Sequence, residues 1–130
     1  MNNPPKTYAK VAVENTAYDF DRLFDYQIPV EYEGMAFPGC RVLVPFGRGN
    51  RKRQGVIFEV SGTAEFGTVK PISALLDETP VLSDEMLLMA KWFRDNYYCT
   101  YYDAAKVMLP SGINVRVVTS YRATGELDGM

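Results

Sequence analysis

The chain has no histidine. That absence removes imidazole general-base catalysis, Ser-His-Asp hydrolysis and histidine-ligated zinc. A phosphate-binding loop of the form G-x-x-x-x-G-K-[ST] is missing too. The nearest segment, Gly47 to Lys52, lacks the Gly-Lys-Ser/Thr ending, which argues against ATP binding. Carboxylates are plentiful, and Asp19, Asp21 and Asp25 stand at D-x-D-x-x-x-D spacing. Phe20, Leu23 and Phe24 are interleaved with them and no calcium-loop glycine follows. Asp19 and Asp21 are therefore expected as solvated turn residues rather than metal ligands, and a nuclease or phosphatase built on the three is the weakest reading. Cys40 and Cys99 have no C-x-x-C spacing and are expected as reduced core thiols of a cytoplasmic protein.

Cations and aromatics remain. The formal net charge is −2, but five of the 14 basic residues (Arg41, Arg48, Arg51, Lys52 and Arg53) and none of the 16 acidic ones fall between Pro38 and Gly55. An acidic body thus carries one basic patch, whose guanidinium groups could reach a phosphate backbone. A charge run on an exposed loop serves equally as a solubility device. Phe20, Phe24, Tyr26, Phe37 and Phe46 lie close in sequence to that patch. Aromatics beside a cationic groove are how small β domains hold single strands, and they are also what a β core is made of.

These side chains have to be positioned by something small. At 130 residues, with 47% hydrophobic and 13% aromatic composition, the chain can bury one core, and its 10 Gly and 8 Pro imply many turns. Nowhere do about eighteen apolar residues run consecutively, and Met1 to Lys10 holds no signal-peptide core, so neither membrane spanning nor secretion is expected. Five strands are predicted: Ala9 to Glu14, Leu23 to Ile28, Cys40 to Phe46, Gln54 to Ser61, and Val69 to Leu76. The third and fourth should form a hairpin with Gly47 to Arg53 as its exposed loop. After Pro80 the period changes: Met86, Met89, Ala90, Phe93 and Tyr97 recur at three-to-four spacing, with Ser83 as N-cap, and Trp92 is expected as core or interface packing. A second helix is expected from the capping box Thr100-Tyr101-Tyr102-Asp103 and must end before Pro110. Ile113 to Ser120 looks like a lone strand opening a second domain. The expectation is an α+β chain: residues 1–80 a small β-rich domain, a partly open antiparallel barrel or curved sheet, and residues 81–130 a helical segment.

Specific strings go further. Leu23-Phe24-Asp25-Tyr26-Gln27-Ile28-Pro29, then Gly39-Cys40-Arg41-Val42-Leu43-Val44-Pro45-Phe46-Gly47, then Gly55-Val56-Ile57, follow one another in an order that resembles the N-terminal 3′ DNA-binding domain of primosomal protein N′, the PriA family of replication-restart helicases. Val69-Lys70-Pro71-Ile72, Leu76-Asp77, Tyr97-Tyr98 and Leu109-Pro110 extend the match. The resemblance implies a module that captures the 3′-terminal nucleotide of the nascent leading strand at a stalled fork. It implies a pocket made by Phe24, Asp25, Tyr26, Gly47 and Lys70; the charge of the basic loop, rather than the resemblance, makes Arg48, Arg51, Lys52 and Arg53 the expected phosphate contacts. The resemblance also implies that residues 81–130 begin a winged-helix domain. ATP and zinc would belong to the helicase part that is missing here, so no cofactor and no enzymatic activity are expected of this chain. The expected partners are forked and single-stranded DNA, with primosome proteins and single-stranded DNA-binding protein for the full-length family member.

An ionised Asp25 would accept from a base or terminal hydroxyl and repel phosphate, which selects a strand end and requires the residue to be exposed. Gly47 would admit the nucleotide, Phe24 and Tyr26 would wall or stack the base, and Lys70 would neutralise a phosphate. Plain barrel packing of Phe24 and Tyr26 stays open, because strand alternation sets both opposite Asp25. The rival function is a protein-interaction module docking an acidic partner through the basic hairpin.

Overall fold

The computed structural model describes residues 7–17, 21–47, 49–62 and 69–109. Strands β1 (Thr7–Val13), β2 (Phe24–Ile28), β3 (Arg41–Phe46) and β4 (Arg51–Ser61) are followed by two short ones, β5 (Lys70–Pro71) and β6 (Ala74–Leu75), and by helices α1 (Asp84–Asn96) and α2 (Tyr101–Lys106). A 3-10 turn, Val30–Tyr32, follows β2. The six strands form one sheet in the order β5-β2-β1-β4-β3-β6. All pairs are antiparallel except β2 with β5, so the sheet is mixed rather than wholly antiparallel.

The predicted strand Val69 to Leu76 divides in two. The chain stays bonded to β2 through Pro71 and leaves it directly after Ile72. The Ile72 N–H donates to Gln27 O at 2.9 Å, whereas the next N–H, of Ser73, donates to Leu43 O at 2.8 Å on the opposite edge of the sheet. Two consecutive residues thus bond both edges, and the sheet is curled into a half-barrel. Its interior is filled by Val11, Val13, Tyr26, Ile28, Val42, Val44, Ile57 and Leu75, all buried. Such alternation is what a period of two places on one face.

The β1–β4 register slips between Lys10 and Val11: Lys10 lies opposite Glu59 and Val11 opposite Ile57, leaving Phe58 as an extra residue on β4. This bulge reverses the facing of the last residues of β4, so Val60 pairs with Ala9 on the inner side instead of continuing the outward row of Val56 and Phe58. Phe58 and Val56 turn to the other face, where they share a core with Leu82, Leu87, Ala90, Tyr102, Ala104 and Ala105.

Both helix starts follow from their caps. The Ser83 hydroxyl accepts from Met86 N at 3.2 Å and the Thr100 hydroxyl from Asp103 N at 3.1 Å. The inward stripe of α1 differs from the predicted one: Leu87 and Ala90 are buried, while Met86, Met89 and Trp92 are exposed. The segment Met86 to Phe93 is apolar almost all round, so spacing alone did not select a face. Ile113 to Ser120, expected as a strand, lies outside the described residues, as do Tyr18, Asp19 and Phe20.

Candidate nucleic-acid interface

The β3–β4 hairpin closes through residues 47–50, with Phe46 paired to Arg51. Gly47 (φ 72°), Gly49 (φ 82°) and Asn50 (φ 51°) all take left-handed backbone, the region open to Gly and tolerated by Asn. The loop is therefore shorter than predicted. Arg51, Lys52 and Arg53 belong to β4, where alternation sends neighbours to opposite faces.

The predicted basic patch breaks up accordingly. Arg41 is buried: its Nε and Nη2 donate to the two carboxylate oxygens of Asp77 at 3.0 and 2.8 Å, and its backbone N–H donates to the same carboxylate at 2.8 Å. This salt bridge also holds the guanidinium pKa above its ordinary value. Arg53 is half-buried; its Nη1 donates to the carbonyls of Glu14 and Asn15, each at 3.2 Å, and its guanidinium lies 4.6 Å over the Phe46 ring. Arg51 and Lys52 are exposed. Arg48 lies outside the described residues.

Against this, Phe24, Asp25, Tyr26, Gly47 and Lys70 do come together, lining one open cleft of about 350 Å³. Parallel pairing sets Lys70 opposite Tyr26, and Lys70 Nζ donates to Asn50 Oδ1 of the hairpin loop. Lys70 thereby ties the sheet edge to the loop. Arg22, Pro45, Phe46 and Val69 complete the walls. Phe24 meets Phe46 edge-on, with centroids 5.0 Å apart and planes at 85°, and the Arg22 guanidinium sits 4.8 Å over the Phe24 ring. An added Cβ at Gly47 would meet nothing within 4 Å, so the cleft is open beside it.

Two of the five residues carry less freedom than their types suggest. Tyr26 is 5% exposed and its hydroxyl donates to Pro45 O at 2.7 Å, so the ring is a core wall rather than a movable stacking platform. Desolvation, only partly countered by Arg53, pushes its hydroxyl pKa up to about 12. The Asp25 side chain is 2% exposed, not open to solvent as expected. Its register partner on β1 is Lys10, whose Nζ donates to Oδ1 at 2.9 Å. The aspartate's charge is largely offset within the protein. Lys10 and Arg22 were missed from sequence. Lys10 acquires its place only through the β1–β2 register, but Arg22, two residues before Phe24 at the entry to β2, carried a period-two signal that could have found it.

Residues 10–110 match the family model described as 3′ DNA-binding domain (3′BD) of PriA. The chain belongs to that family. It is also similar to three proteins named replication restart protein PriA: 36% identical over 111 residues (84% of this chain) to that of Bacillus subtilis, 28% over 107 residues (78%) to that of Treponema pallidum, and 24% over 114 residues (85%) to that of Chlamydia trachomatis. The matched region makes up 14%, 16% and 15% of those proteins respectively. In this 3′ DNA-binding domain the family match takes in the sheet, the cleft and both helices.

Proposed function

We propose that this domain serves replication restart by binding the 3′-terminal nucleotide of a DNA strand, such as the nascent leading strand at a stalled fork, in the cleft of Phe24, Asp25, Tyr26, Gly47 and Lys70. The observation that carries the reading is the meeting of these five positions, spread from β2 to β5, around one cleft in a member of the 3′ DNA-binding domain family. Phe24 and the backbone at Gly47 would bracket the base, and Lys70 would face a phosphate. With Lys10 beside it, Asp25 offers a compensated carboxylate, which lowers the repulsion a DNA strand meets on entering while still favouring a hydroxyl over a dianionic phosphate. The exposed Arg51 and Lys52 would add sequence-independent phosphate contacts.

The domain supplies recognition, and unwinding, ATP and zinc would belong to the rest of a longer PriA protein, as would any contact with primosome proteins or single-stranded DNA-binding protein. The helical segment from residue 81 would lead into its winged-helix part. Among the described residues no helix is long and apolar enough to cross a membrane, in keeping with a domain that meets chromosomal DNA in the cytoplasm.

The test is fluorescence anisotropy with forks whose leading strand ends at the junction in a 3′-hydroxyl, ends in a 3′-phosphate, or is absent. The hydroxyl fork should bind most tightly. Equal affinity for all three would refute end recognition, even if the domain still bound DNA. This comparison is cleaner than Asp25→Ala, because removing a buried, ion-paired carboxylate also unsettles the β1–β2 pairing.

A further inference from the structure

The terminal cleft does not stop at the Phe24–Phe46 pair. Those two rings and Arg22 also line a second, larger groove of about 650 Å³, which runs on to Asn15, Ala17 and Arg53. Each ring is covered by a guanidinium: Arg22 lies over Phe24 at 4.8 Å and Arg53 over Phe46 at 4.6 Å. The carboxylate in the groove, Asp21, is 2% exposed and accepts from Arg94 Nε at 2.9 Å and from Tyr101 N at 3.0 Å, so its charge is met from the helix side. Among the described residues the groove's lining thus brings two aromatic rings and two guanidinium groups together, the chemistry that suits a nucleobase and its phosphate.

We propose that this groove is a second nucleotide subsite, which holds the unit immediately 5′ of the terminal one. The Phe24–Phe46 pair then stands as a partition between two successive bases, and Arg22, common to both compartments, faces the phosphate that links them. The inference rests on the end-binding reading above. It extends that reading from one nucleotide to two.

The test uses the 130-residue chain and three probes in a titration followed by NMR or calorimetry: thymidine 5′-monophosphate, the 5′-phosphorylated thymidine dinucleotide, and the same dinucleotide lacking the base of its 5′ unit. Base stacking in the groove should make the full dinucleotide bind about five-fold or more tighter than the mononucleotide, and the abasic compound should lose most of that gain. Ala17→Glu places bulk and a like charge in the outer groove at an exposed position that does not line the cleft of Gly47 and Lys70. It should abolish the dinucleotide's advantage while leaving mononucleotide affinity and thermal stability unchanged. A mononucleotide that binds as well as the dinucleotide, an abasic compound equal to the full one, or an advantage that survives Ala17→Glu would each overturn the second subsite and leave end binding standing. Failure of all three probes to bind would overturn both.

Discussion

Asp77→Ala is expected to be among the most damaging single changes in the domain, although it touches no part of the cleft. Asp77 and Arg41 are 8% and 3% exposed, and the carboxylate accepts three hydrogen bonds, two from the guanidinium and one from the Arg41 backbone. Truncating one partner of a buried pair leaves an uncompensated charge at a typical cost of about 3–5 kcal/mol. At about 4 °C per kcal/mol, that predicts a fall in Tm of roughly 12–20 °C, measured by circular dichroism. Combining Arg41→Met with Asp77→Leu removes both charges and should recover much of the loss. The backbone N–H at position 41 still lacks its acceptor, which leaves a deficit of about 1–3 kcal/mol. The double variant should also bind DNA with an unaltered salt slope, because Arg41 faces Asp77 and not solvent. A fall of less than about 4 °C in Asp77→Ala, equivalent to about 1 kcal/mol, would refute the claim that this pair ties β3 to the segment after β6. A reduced salt slope in the double variant would return Arg41 to the DNA-facing basic patch.

Replacing Arg51 and Lys52 together with glutamine should weaken binding about equally for all DNA sequences and flatten the log-log salt slope by up to about 1.4–1.8, and an unchanged slope would make them solubility residues. Gly55→Ala should destabilise by about 1–3 kcal/mol in urea unfolding, because its Cβ would come 2.4 Å from Val11 Cγ1 and 2.9 Å from Ala12 O. Gly47→Ala meets open space but sits at φ 72°, so it should cost only about 1–2 kcal/mol of stability and show its larger effect in loss of end binding. Tyr26 links stability to pH: its folded-state pKa of about 12 lies above the ordinary 10.0. Its contribution is therefore complete below pH 10 and is lost as pH rises towards 12, by up to roughly 3 kcal/mol. Tyr26→Phe should flatten that decline in denaturant titrations at high pH, with a residual slope from Tyr102, whose pKa burial also raises.

Much of this molecule was legible in its residue order. Apolar alternation placed β1 to β4 within a few residues, Ser83 and Thr100 marked both helix starts through chemistry local to one turn, and the F-D-Y and P-F-G strings pointed to the positions that line the cleft. These signals are local, so one stretch of chain holds them whole. What tertiary structure decided depends on pairs distant in sequence. The β1–β2 register put Lys10 against Asp25 and took a carboxylate expected in solvent out of it. The fold buried Arg41 on Asp77, 36 residues away, and fastened Arg53 to the carbonyls of Glu14 and Asn15, so that two of five arginine and lysine residues in one run became structural. A bulge at Phe58 reversed the facing of β4, and a switch of hydrogen-bond partner between Ile72 and Ser73 split one predicted strand between β2 and β3. A charge or a ring shows its type in the sequence, but whether it meets solvent, a partner or a ligand is set by register and curvature, which arise only when separate strands pair.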